Sequence, residues 1–116
     1  MASEKIDQDT QQKIQELQVL EHNMQNLLMQ KQAFQMEINE TANALDELKN
    51  TNEDVYKMVG SIMIKGDKEK IIKELGDKKN VLDLRMESLD KQEKLIESKA
   101  KEIHEGVKKS MEKSKK

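Results

Sequence analysis

From Leu17 to Leu48 the apolar side chains advance in steps of three and four, and no glycine or proline interrupts them. With Leu17 as the first position of a heptad, the a series is Leu17, Met24, Lys31, Ile38 and Leu45. The d series is Leu20, Leu27, Phe34, Thr41 and Leu48, so eight of the ten positions are apolar. A stripe this narrow, repeating every 3.5 residues, is the seam of a coiled coil. A second seam begins after Asp67, which follows Gly66 and is a favourable residue to cap a helix. Its a series is Ile72, Lys79, Met86, Glu93, Ala100 and Val107, and its d series is Leu75, Leu82, Leu89, Ile96, Ile103 and Ser110. Nine of these twelve are apolar. Gly76 falls at an e position, which costs about 1 kcal/mol relative to alanine.

Two seams of similar length argue for a pair, and in an antiparallel pair an a residue faces a d residue. If Leu48 meets Ile72 beside the connection, then Leu45 meets Leu75, Ile38 meets Leu82, Phe34 meets Met86, Met24 meets Ile96 and Leu17 meets Ile103. In this register the numbers of facing residues always add up to 120. Thr41 then meets Lys79, and Lys31 and Glu93 occupy neighbouring layers. Toward the free ends Lys13 faces Val107 and Thr10 faces Ser110, with Gly106 beside them, so the seam is expected to loosen and fray there.

Composition agrees with a thin core. Only 34% of the 116 residues are hydrophobic against 38% charged, and Phe34 and Tyr56 are the only aromatics. Ordering a residue costs roughly 1–2 kcal/mol of backbone entropy, which such a composition does not offset through one thick core. Residues 1–50 carry four Lys against nine acids, and residues 101–116 carry six Lys against three Glu. That asymmetry suits a chain folded back on itself. With Arg85 as the single arginine and no interleaved aromatics, nucleic acid is not expected as a partner. No apolar run approaches the ~20 residues that span a bilayer, and Met1-Ala2-Ser3-Glu4-Lys5 lacks a signal core. A soluble, cytoplasmic protein without membrane contact is expected. The absence of cysteine excludes disulfides and thiolate chemistry. His22 and His104 fall at f and e positions in layers that are not adjacent, which reads as two solvated side chains rather than a metal pair. No phosphate-binding loop or dinucleotide turn is present, so neither catalysis nor a cofactor is expected.

Residues 49–66 break the helical pattern. After the polar stretch Lys49-Asn50-Thr51-Asn52-Glu53-Asp54, two β-rich runs, 55–59 and 62–65, flank Gly60-Ser61. A Gly-X pair between such runs predicts a hairpin with a type II′ turn. Val59 then pairs with Ile62, Met58 with Met63 and Lys57 with Ile64. One face carries Val55, Val59, Ile62 and Ile64, and the other carries Tyr56, Met58 and Met63. An isolated hairpin is marginal in water, and this one would have two apolar faces and two open edges. Hairpins of several chains joining into a shared sheet or barrel would resolve that; a long loop packed on its own helices is the alternative.

The expected layout is one domain over residues 1–116, with helices at 5–49 and 68–113 around a hairpin at 55–65. Helix, hairpin and helix in this order resembles the beta class of the prefoldin family. The likeness rests on Val55-Tyr56-Lys57-Met58-Val59-Gly60, Ile62-Met63-Ile64-Lys65, Lys68-Glu69-Lys70 and Glu74-Leu75. It continues through Leu84-Arg85-Met86-Glu87-Ser88-Leu89 and Lys91-Gln92-Glu93, and includes Gln30-Lys31-Gln32 and Ile38-Asn39-Glu40-Thr41. The short, plain chain is closer to the archaeal kind. There is no room for the second hairpin of the alpha class.

The resemblance implies a hexamer of two alpha and four beta subunits. In it, hairpins build a β-barrel platform and antiparallel coiled coils hang from it. It further implies an ATP-independent chaperone that captures unfolded polypeptide at the coiled-coil tips and passes it to a group II chaperonin. The tip residues expected to serve capture are Ile6, Ile14, Leu17, Val19, Leu20, Ile103, Val107 and Met111. Assembly would fall to Val55, Tyr56, Met58, Val59, Gly60, Ile62, Met63 and Ile64. Lys108, Lys109, Lys113, Lys115 and Lys116 are candidates for a chaperonin contact, or equally a solubilising tail. A structural coiled-coil tether, binding folded partners without client capture, is the alternative function.

Overall fold

The computed structural model describes residues 8–114. Helix α1 is Gln8–Asn50, strand β1 is Tyr56–Val59, strand β2 is Ile62–Lys65 and helix α2 is Lys68–Ser114. The fold is mainly α, two long antiparallel helices with a two-stranded sheet between them in the chain. Residues 5–7, where the spacing starts the first helix, lie outside the described residues. All a and d positions assigned above, from Leu17 to Leu48 and from Ile72 to Ser110, are buried or half-buried. The chain forms two compact units: one is Lys31–Glu87, and the other consists of the helical portions outside that range.

In the unit that contains the hairpin, Leu48 and Leu82 are the buried apolar side chains. Burying a leucine stabilises by roughly 1.5–3 kcal/mol. The polar layer is accommodated within each helix. Thr41 is buried, and its hydroxyl donates to the Glu37 carbonyl at 2.7 Å. Lys79 swings its ammonium out to Asp83 one turn along its own helix, at 3.0 Å. Glu37 also reaches Lys78 of α2 at 3.7 Å, a g-to-g contact that fits the register adding up to 120.

The junctions follow from local chemistry. Asp67 caps α2: its Oδ1 accepts from the Glu69 N–H at 3.1 Å, and its carbonyl accepts the Ile71 N–H at 3.0 Å. Lys68 donates its ammonium to the Thr51 carbonyl at 2.6 Å, just past the end of α1, where carbonyls lack helical partners. Gly66 packs closely under Ile71: a Cβ there would meet the end of the Ile71 side chain, which would have to turn aside.

In the other unit, Leu27, Leu89 and Val107 are buried, as is Thr10. The expected fraying is not seen among the described residues. Thr10 is 3% exposed and Val107 9%, so the pairing stays closed to the last layers in view. Gly106 lies beside Lys13 at this end. A Cβ on it would stand 3.3 Å from the Lys13 Nζ and 3.7 Å from two of its side-chain carbons. The lysine stem fills the space that the glycine leaves, and its ammonium ends 3.4 Å from Asp9.

Candidate functional site

The hairpin is built by its turn. Gly60 has a φ of +62°, and among the described residues no non-glycine residue has positive φ, so Ser61 is at negative φ. A type I′ turn needs positive φ at both central residues, which leaves type II′. The pairing is Val59 with Ile62, Met58 with Met63, Lys57 with Ile64 and Tyr56 with Lys65. One further bond, from the Gly66 N–H to the Val55 carbonyl at 2.9 Å, extends the ladder past the strands. Two ion pairs tether the hairpin: Lys57 to Glu74 of α2 at 3.0 Å, and Lys65 to Asp54 at 3.6 Å. Their side chains are all more than half exposed, so each contributes little, on the order of 0–1 kcal/mol.

Every residue of both strands is exposed. Tyr56, Met58, Val59, Ile62, Met63 and Ile64 each expose 51–68% of their surface. Val55, outside β1, is half-buried. It lines a cleft of about 370 Å³ at the hairpin base, together with Ala44, Leu48, Ile71 and Leu75. The apolar sheet therefore does not fold onto its own helices, which removes the packed-loop alternative.

At the helix ends the expected capture residues divide. Leu17, Leu20 and Ile103 are half-buried in the seam and Val107 is buried in it. Ile14 is half-buried beside them, whereas Val19 and Met111 are exposed, at 58% and 44%. Val19, Leu20 and Ile103 share an open cleft of about 640 Å³ with Gln12, Gln15, Glu16 and Lys99. Those four polar lining residues are not among the sequence candidates. Lys108 and Lys109 are exposed, and Lys113 is in the last turn of α2. Ile6, Lys115 and Lys116 lie outside the described residues. His22 and His104 are exposed.

Large apolar residues that the seams leave out occupy the outer faces: Leu28, Met29 and Met36 on α1, and Val81, Leu84 and Leu95 on α2. Their signal is present in the sequence, since all six fall at c, e or f positions of the heptads assigned above.

Residues 11–114 match the family model for a prefoldin subunit. The chain belongs to the prefoldin family, in its beta class. It is 37% identical over 90 residues to prefoldin subunit beta of Thermococcus kodakarensis, covering 76% of this chain and 77% of that one. Against prefoldin subunit beta of Saccharolobus islandicus, identity is 32% over 103 residues, with 87% and 82% covered. The crystal structure of the prefoldin beta subunit from Thermococcus strain KS-1 superposes with a TM-score of 0.87 at 31% identity. It covers 92% of this chain and 96% of that one. Prefoldins are non-enzymatic chaperones, and membership implies a complex with alpha subunits. Among the described residues, no helix is long and apolar enough to cross a membrane.

Proposed function

We propose that the chain assembles through its hairpin with alpha subunits into a cytoplasmic hexamer of two alpha and four beta subunits. In that hexamer the hairpins form a shared β-barrel platform. The free ends of the helix pairs capture unfolded polypeptides without ATP and release them to a group II chaperonin. The observation that carries this reading is the hairpin, with six large apolar side chains more than half exposed on two faces. Partner strands would cover both faces and satisfy both edges.

Capture is assigned to the end of the helix pair that carries the Val19–Leu20–Ile103 cleft and Met111. There, apolar surface is available beside polar groups, and methionine adapts to varied clients. Lys108 and Lys109, with Lys113, Lys115 and Lys116, are assigned to an acidic surface on the chaperonin.

The test is assembly with the alpha subunit of the same source, followed by native mass spectrometry. The full chain should give the hexamer. A variant in which glycines replace residues 55–65 should keep its helical circular dichroism yet fail to enter the complex. A hexamer formed unchanged by that variant would remove the hairpin from the assembly and overturn the reading.

A further inference from the structure

Methionines 29, 36, 58 and 63 expose 60–68% of their surfaces, so all four are open to a peroxide in solution. What differs is where each lies. Met29 and Met36 are on the outer face of α1, whereas Met58 and Met63 are direct cross-strand partners in the hairpin.

The bond from the Gly66 N–H to the Val55 carbonyl makes 55 and 66 a hydrogen-bonded pair. Alternation along an antiparallel ladder then makes 57/64 and 59/62 hydrogen-bonded pairs, and 58/63 a non-hydrogen-bonded pair. In that class the side chains stand closest, with Cα atoms about 4.5 Å apart. The two thioethers thus lie side by side on one apolar face, next to Tyr56.

We propose that Met58 and Met63 are a paired oxidation site through which a peroxide controls assembly. The inference rests on the hairpin being the assembly surface. A sulfur lone pair attacks the O–O bond of hydrogen peroxide. The thioether loses two electrons and becomes a sulfoxide, and the peroxide leaves as water. The product carries a strongly accepting S=O group where an apolar face must be stripped of water. Burying it unpartnered would weaken association on the order of tenfold or more per sulfoxide. Free subunits are open to this reaction; subunits already assembled are shielded. Methionine sulfoxide reductases, one for each epimer, would reverse it.

The test treats the full chain with hydrogen peroxide, either free or already assembled with its alpha subunit, and follows each methionine by peptide mass spectrometry. In the free chain all four methionines should oxidise at comparable rates. In the complex, Met58 and Met63 should slow at least about tenfold, as burial in a packed interface implies, while Met29 and Met36 do not. Chain oxidised before mixing should assemble at least about tenfold more weakly. The double variant M58L/M63L keeps side-chain volume without sulfur. After the same treatment it should assemble like the untreated chain, and reductase treatment should restore the oxidised wild type.

A chain carrying both sulfoxides that assembles as well as the reduced one would overturn the proposal. Equal loss of assembly in the M58L/M63L variant would also overturn it. Unchanged oxidation of Met58 and Met63 within a verified complex would instead overturn hairpin-mediated assembly itself.

Discussion

Leu82 and Leu84 are the same residue type two positions apart on one helix, yet one is 4% exposed and the other 66%. The heptad separates them: position 82 is d, facing Ile38 in the antiparallel register, and position 84 is f. Leu82→Ala should therefore cost about 2–5 kcal/mol, and Leu84→Ala should stay within about 0.5 kcal/mol. Thermal unfolding followed by circular dichroism separates the two, and equal effects would contradict the assigned seam. At the α2 N-terminus, Asp67→Ala removes the bond accepted from the Glu69 N–H and should cost about 1 kcal/mol by the same measurement. Polar seam residues are harder to read. Heptad phase alone places Thr41 and Lys79 together, but not their bonds to Glu37 and Asp83 within their own helices. Nor does it show that the Lys13 stem packs against Gly106.

At the scale of elements, the helices and the hairpin are legible because each rests on a short-range rule. Step length defines the seams, Asp67 the start of α2, and Gly60-Ser61 the turn and with it the strand register. What spacing does not reveal is surface. The Val19–Leu20–Ile103 cleft draws residues from both helices and needs their three-dimensional pairing before it appears. The outer-face apolar residues escape for another reason: a heptad seam is defined by its a and d positions and leaves c, e and f without a role. The turn also gives a prediction at this scale. Gly60→Ala places a Cβ on a residue with φ of +62°, which should cost about 1–2 kcal/mol of hairpin stability. NMR of the hairpin amides should show weakened protection at Val59 and Ile62, while the helical circular dichroism stays unchanged. Unaltered protection would contradict the type II′ assignment.

At the scale of the whole molecule, the two apolar surfaces have different assigned uses. The hairpin's surface is extensive, two-sided and strand-edged, which suits permanent burial against like elements. At the helix ends the apolar surface is mixed with Gln12, Gln15, Glu16 and Lys99, which suits reversible contact with many sequences. A tether would require a surface specific for one folded partner, whereas capture of unfolded clients requires tolerance. The decisive measurement is light scattering of a chemically unfolded protein diluted into buffer without ATP. Three samples are compared: no addition, the complex of this chain with its alpha subunit, and a complex whose beta chains lack residues 1–12 and 108–116 and whose assembly has been verified. Capture at the helix ends predicts strong suppression of scattering by the full-length complex and weak suppression by the truncated one. A verified full-length complex that leaves the scattering unchanged would contradict it.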